Sequence, residues 1–139
     1  MQKRLLVIDD EADIREVAKA SLELVGGFKV LTSASGKNGI TLAEREQPDA
    51  IILDLMMPEM DGRETLVQLK ANPDTQGIPV VLLTAKVHGF GPDLARQAGA
   101  AGLLLKPFDP MLLSKQVCAI LGWETAAAAK QAKIEPESK

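Results

Sequence analysis

"RLLVIDDEAD", residues Arg4 to Asp13, decides the fold. An apolar run that reads as a buried strand ends on two adjacent carboxylates, Asp9 and Asp10, with further acid close behind. Burying one aspartate beside an apolar core is costly, and a second beside it adds repulsion. A strand that ends this way calls for a compensating charge.

Short apolar runs like this one recur: "LLVI" at Leu5 to Ile8, "FKVLTSA" from Phe28, "AIILDL" from Ala50, "PVVLLTA" from Pro79 and "GLLLK" from Gly102. Runs that are apolar on successive residues, not alternate ones, are what strands covered on both faces look like. Helical spacing fills the intervals. Ile14, Val17, Ala18, Leu22 and Val25 trace one face until Gly26 and Gly27 stop it. A second helix is predicted from about Gly36 to Glu46, with Ile40, Leu42 and Ala43 apolar, and a third after Asp61, carrying Leu66, Val67 and Leu69. A short fourth is predicted near Gly91 to Ala98, and a fifth from Asp109 as N-cap, with Pro110 at the first helical position, to about Leu121.

Strand and helix thus alternate through five rounds, the pattern of an α/β, doubly wound five-stranded parallel sheet with helices on both faces. The domain is expected to occupy residues 1–122. The remaining residues, 123–139, have alanine helix propensity but little apolar surface beyond Trp123 and Ile134, and are expected to be a tail or linker with no output domain.

Composition narrows the function. A chain of 139 residues suits one domain with a proper core. Its 16 basic and 19 acidic side chains, net −3, give no electrostatic footprint for direct nucleic-acid or anionic-membrane binding. The single cysteine, Cys118, lies in the apolar stretch "KQVCAILGW" and reads as a small buried thiol. The N-terminal apolar run is too short for a signal-peptide core, and no later stretch approaches a membrane span, so a cytoplasmic location is expected.

In an open parallel sheet, ligands collect beyond the carboxyl ends of the strands. Asp9 and Asp10 close the first strand, Asp54 the third, Thr84 the fourth and Lys106 the fifth. Singly each has an ordinary reading as a helix cap, a strand end or a solvated charge. Together they make a site. Clustered carboxylates suit a hard divalent cation, and Mg²⁺ takes one or two carboxylates while keeping positions for water or phosphate oxygens. With the Thr84 hydroxyl and the Lys106 ammonium added, the site suits a phosphoryl group, and Asp54 is the carboxylate best placed to accept it.

The motifs "VIDDEAD", "ILDLMMPEMDG", "VVLLTAK" and "AGAAGLLLKPF", in this order, closely resemble the receiver domain of two-component response regulators, of the single-domain, chemotaxis-regulator-like kind. The resemblance spans about Lys3 to Leu121 and implies a flavodoxin-like sheet of strand order 2-1-3-4-5. It implies that Asp54 takes phosphate from a sensor histidine kinase or a histidine phosphotransfer protein. It assigns Mg²⁺, with Mn²⁺ as a substitute, to Asp9, Asp10, Asp54 and the main-chain carbonyl of Met56. Thr84 and Lys106 match the hydroxyl and the ammonium that hold the phosphoryl group, and the Lys106 to Pro107 bond is expected to be cis. Pro58 and Gly62 match the loop at the mouth of the site. Phosphorylation would then bias the face made by the fourth helix, fifth strand and fifth helix toward binding or releasing a downstream protein, as a monomer or a phosphorylation-dependent dimer.

The sequence departs from the family in two respects. The aromatic switch position, three residues before the lysine, is Leu103, and the chain has no tyrosine. The two positions that tune phosphoryl lifetime are Met56 and Lys86, and an apolar Met56 cannot position water through a side-chain hydrogen bond, so slow self-dephosphorylation is expected. Competing readings are a receiver-like scaffold that works without phosphorylation, a fragment of a longer regulator or hybrid kinase, and a haloacid-dehalogenase-like phosphatase. The last requires an acid two residues after its nucleophile, where Met56 stands. His88, Met57, Met60, Lys130 and Lys133 read as ordinary loop, packing or solvated residues.

Overall fold

The computed structural model describes residues 2–57, 62–85 and 91–125. Among these described residues ten elements follow in strict alternation: β1 (Arg4–Ile8), α1 (Ala12–Leu24), β2 (Lys29–Ser33), α2 (Gly36–Glu46), β3 (Ala50–Asp54), α3 (Gly62–Ala71), β4 (Val80–Thr84), α4 (Pro92–Gln97), β5 (Gly102–Leu105) and α5 (Leu113–Leu121). The strands form one parallel sheet of order β2-β1-β3-β4-β5. The chain therefore starts in the middle, steps out to β2, and crosses back over β1 to β3.

Successive residues of the central strands serve opposite faces. Leu6, Ile8, Ile51, Leu53, Val80 and Leu82 pack with Ala43 of α2, Leu66 and Leu69 of α3, and Ala95 of α4. Leu5, Val7, Ile52, Val81 and Leu83 pack with Ala18 and Leu22 of α1 and with Leu113, Val117 and Cys118 of α5. This explains the unbroken apolar runs: β3 and β4 are buried at every position. The edge strand β5 is less covered, and Leu105 at its end is exposed. Cys118 is buried.

Several helix ends follow from local chemistry. Ser35 caps α2 by accepting a hydrogen bond from the Asn38 amide at 3.2 Å, and Gln47 ends the helix in the left-handed region at φ 48, just before Pro48. Gly122 ends α5 at φ 71, where glycine bears no Cβ penalty.

Three details differ from the sequence reading. The buried stripe of α1 is Ala18, Ser21 and Leu22, with Ile14 partly buried, whereas Val17 and Val25 are exposed. Ser21 is drawn inward because its hydroxyl donates to the Pro110 carbonyl. In α3 it is Thr65, not Val67, that joins Leu66 and Leu69 in the interior. At α5 the chain first makes a turn over residues 110–112, so the helix begins at Leu113. Asp109 governs that turn: its Oδ1 accepts from the Met111 amide at 2.8 Å, and its carbonyl accepts from the amides of Leu112 and Leu113.

Trp123, assigned to the tail on sequence, lies against Phe28 with ring centroids 5.9 Å apart, and Lys3 Nζ sits 4.7 Å from the centroid of the same ring. It packs on the α1/α5 layer. Packing therefore continues past residue 122 because an aromatic ring and a cation close the bottom of that layer. The expectations for Lys130, Lys133 and Ile134 fall outside the described residues.

Gly39 of α2 lies over β1, where an added Cβ would come within 2.4 Å of Ile8 Cδ1 and 2.8 Å of Ile8 Cγ1. Helix propensity alone makes Gly39→Ala stabilising by about 1 kcal/mol. Overpacking opposes it in a core where Ile8 is fully buried. Urea unfolding is expected to show net destabilisation by Gly39→Ala. The Gly39→Ala/Ile8→Val pair should lose about 1 kcal/mol less than the sum of the single substitutions.

Candidate functional site

Sheet register brings the polar strand ends together. Ile8 is paired with Leu53, Asp54 with Leu83, and Thr84 with Leu105, so Asp9, Asp54, Thr84 and Lys106 emerge at one carboxyl edge. Backbone bonds continue past the strands. The Asp9 amide donates to the Ser33 carbonyl at 3.0 Å, that of Leu55 to Leu83 at 3.1 Å, and that of Lys106 to Thr84 at 2.7 Å. The side chains are therefore carried on rigid main chain.

Asp9 and Asp54 are each 1 % exposed. The Asp9 Oδ1 accepts from the Glu11 amide at 2.9 Å, and Asp54 Oδ1 from the Met56 amide at 3.1 Å. The Arg15 guanidinium steadies the same loop by donating to the Asp9 carbonyl at 2.7 Å. Lys106 Nζ stands 3.0 Å from Asp9 Oδ2, 3.4 Å from Asp54 Oδ2 and 3.0 Å from Glu11 Oε1. One ammonium thus faces three carboxylates.

That balance leaves the acids under-compensated. Asp9 Oδ2, Asp10 Oδ1 and Asp54 Oδ2 are buried and have no hydrogen-bond partner among the described residues, the Lys106 contacts of two of them being ion-pair approaches. Burial raises the Asp54 carboxyl from its ordinary 3.8 to about 6. The Met56 amide opposes this rise, the Asp9 charge adds to it, and Lys106 partly offsets it. Burial alone would lower Lys106, but Glu11, Asp9 and Asp54 together hold its ammonium above the ordinary value.

Oxygen ligands of Asp9, Glu11 and Asp54 all lie within 4.8 Å of one another. The group differs in one member from the expected set. Glu11 is drawn in by Lys106, while Asp10 stands half-buried outside the group with its own oxygen unpartnered. Orphaned hard-oxygen donors in this arrangement fit a divalent cation such as Mg²⁺. The sequence reading gave Glu11 no role. The available signal was a third carboxylate directly after the pair, before the first helix.

The remaining residues are placed as follows. Thr84 is fully buried, and its hydroxyl donates to the Ala85 carbonyl at 2.8 Å. Met56 turns its side chain outward, 61 % exposed. Leu103 is half-buried, pairs with Leu82 across the sheet, and packs on the α2/α3 layer. The Lys106–Pro107 bond is cis. At Gly62 a Cβ would lie 2.3 Å from the Asp54 carbonyl oxygen and 2.5 Å from Leu55 Cα, so only glycine lets α3 start this close to the acid strand. Pro58, Met60, Lys86 and His88 lie outside the described residues.

A doubly wound sheet with an acid cluster, a hydroxyl and a lysine at its carboxyl edge defines a signalling receiver, and the chain belongs to the response regulator receiver domain family, which it matches over residues 5–118. It is 38% identical over 128 residues to the alkaline phosphatase synthesis transcriptional regulatory protein PhoP of Bacillus subtilis, covering 92% of this chain and 52% of that protein. It is 41% identical over 120 residues to the response regulator PleD of Caulobacter vibrioides, covering 84% of this chain and 26% of PleD. The chain thus spans about half the length of PhoP and about a quarter of PleD. Among solved structures, the chemotaxis response regulator CheY4 of Vibrio cholerae superposes with a TM-score of 0.78 at 28% identity, covering 86% of this chain and 99% of that one. The N-terminal domain of a response regulator receiver protein from Methanoculleus marisnigri gives 0.69 at 34% identity, covering 87% and 98%. The chain is a phosphoacceptor module of two-component signalling, a class that binds Mg²⁺ in an acidic pocket and interacts with histidine kinases and downstream targets. Such modules are not enzymes in the ordinary sense. Among the described residues no helix is long and apolar enough to cross a membrane.

A carboxyl whose value is raised in the folded protein binds its proton more tightly there than in the unfolded chain. Ionising Asp54 therefore costs stability as pH rises from about 4 through about 6, and the whole cost is present above that. In metal-free protein Asp54→Asn removes it. Thermal melts are expected to show the variant more stable than the parent by about 1–3 kcal/mol at pH 7.5, with the two converging near pH 4. A variant less stable than the parent at pH 7.5 would contradict this electrostatic account.

Proposed function

We propose that Asp54 is the residue that accepts a phosphoryl group from a sensor histidine kinase or histidine phosphotransfer protein. The observation that carries this reading is the pair of buried carboxylates, Asp9 and Asp54, that share the single Lys106 ammonium without a hydrogen bond to it, with a third buried oxygen, Asp10 Oδ1, also unpartnered. Such an arrangement costs stability unless a ligand completes it. In this reading Asp9, Asp10, Asp54 and the Met56 main-chain carbonyl hold Mg²⁺, with Mn²⁺ as a substitute. When bound, the cation neutralises the carboxylates and the phosphoryl oxygens.

The residues divide the remaining work. The Asp54 amide contact from Met56 fixes one carboxylate oxygen and leaves Oδ2 for in-line attack on phosphorus. An O–P bond forms as the P–N bond of the donor phosphohistidine breaks, and the histidine leaves with the electron pair. Lys106, 12 % exposed on its side chain, donates to the charge that builds on the equatorial oxygens. Thr84 then exchanges its Ala85 carbonyl for a phosphoryl oxygen.

Leu103 replaces the aromatic residue of the family's switch. Half-buried and packed on the α2/α3 layer, it leaves the response of the α4-β5-α5 face to aliphatic repacking. The output is binding or release of a downstream protein, in the cytoplasm, as a monomer or a phosphorylation-dependent dimer, without direct contact to nucleic acid or membrane. Trp123, at the start of the expected tail or linker, packs on Phe28. The non-aromatic Leu103 also favours a second reading, a receiver-like scaffold whose partner binding ignores phosphorylation.

Intact-protein mass after incubation with acetyl phosphate and Mg²⁺ separates the two readings. The phosphoacceptor reading expects one phosphoryl adduct, absent in Asp54→Asn and absent without metal. No adduct on the parent protein, with beryllofluoride also failing to perturb it, would favour the scaffold. The exposed, apolar Met56 cannot position water as an amide would, so Met56→Asn is expected to shorten the phosphoryl half-life severalfold. An equal or longer half-life would contradict the assigned role.

A further inference from the structure

Lys106 carries three N–H donors and no acceptor, and three carboxylates already surround it. Among the described residues its hydrogen bond goes to Glu11 Oε1 at 3.0 Å, so a phosphoryl oxygen that takes this donor competes with Glu11 directly. Asp9 and Asp54 are 1 % exposed, and a buried carboxylate stripped of its cation is strongly penalised. Glu11 is 60 % exposed on its side chain, so water replaces the lysine at little cost. Its backbone is independently fixed, since the Glu11 amide donates to Asp9 Oδ1 and its carbonyl accepts from the Arg15 amide at 2.9 Å. Glu11 is also the residue directly before α1, yet its side chain makes no cap hydrogen bond there. The side chain alone is free to move.

We propose that Glu11 is a positioning residue, a latch that holds the Lys106 ammonium in the phosphoryl-free state and competes with the incoming phosphoryl group for it. This rests on the phosphoacceptor reading above and deepens it. The latch sets how readily the site loads, because part of the lysine's affinity for the phosphoryl group goes into displacing Glu11.

Calorimetric titration of the Mg²⁺-loaded protein with beryllofluoride tests the latch, alongside a separate titration with Mg²⁺ alone. Glu11→Gln removes the charge, and Glu11→Asp keeps it but shortens the reach. Both variants are expected to bind beryllofluoride about two- to fivefold more tightly than the parent, the size of an exposed ion pair. Glu11→Asp should bind Mg²⁺ within about threefold of the parent, and Glu11→Gln should give no gain in a Lys106→Met background. Unchanged or weaker beryllofluoride binding in both variants would overturn the latch. So would a gain confined to Glu11→Gln, which would reflect net charge alone, or a larger loss of Mg²⁺ affinity in Glu11→Asp, which would make Glu11 a metal ligand. A parent protein that binds Mg²⁺ but not beryllofluoride would instead overturn the phosphoacceptor reading, and the latch with it.

Discussion

One lysine against a cluster of buried carboxylates is the interaction around which the rest of the structure is arranged. Lys106 Nζ reaches Asp9, Asp54 and Glu11 within 3.4 Å, and these contacts tie the end of β5 to the ends of β1 and β3. The compensation is incomplete, as the raised Asp54 carboxyl records. Stability is thereby held back at the site, and on the proposed function a cation bound there would return part of it.

The two-layered core makes that arrangement affordable. Because β1, β3 and β4 are buried on both faces, their ends cannot shift independently, and the register fixes Asp9 level with Asp54. Gly62 lets α3 approach the Asp54 carbonyl, and Gly39 lets α2 settle on Ile8. Thr84 and Lys106 are joined through main chain, since the lysine amide donates to the threonine carbonyl, so a change at either is felt along β4 and β5.

The alternation of elements was legible because strands covered on both faces leave unbroken apolar runs, and "LLVI", "AIILDL" and "PVVLLTA" are of that kind. Asp9, Asp54, Thr84 and Lys106 were legible for the same reason, as polar interruptions at the ends of those runs, whereas Asp10, read with them, stands outside the carboxylate group. Helix faces were less so. Val17 and Val67 look like core residues by spacing, but Ser21 and Thr65 sit inside instead, Ser21 by bonding to a carbonyl far away in sequence. The start of α5 was misplaced because Asp109 and Pro110 suit a turn as well as a helix. Trp123 looked like tail because Phe28 and Lys3 meet it only in the fold. Glu11 was passed over because a third carboxylate after the pair does not by itself point to a partner, and its partner lies 95 residues away.

A carboxylate cluster this poorly compensated is suited to a cation. Isothermal titration of Mg²⁺ into the parent protein and into Asp9→Asn, Asp10→Asn and Asp54→Asn tests it most directly. One site on the parent is expected, weakened about tenfold or more in Asp10→Asn and Asp54→Asn and by a smaller factor in Asp9→Asn, whose oxygen lies nearer Lys106 than that of Asp54. Equal Mg²⁺ binding by all four proteins, or none by the parent, would contradict the account.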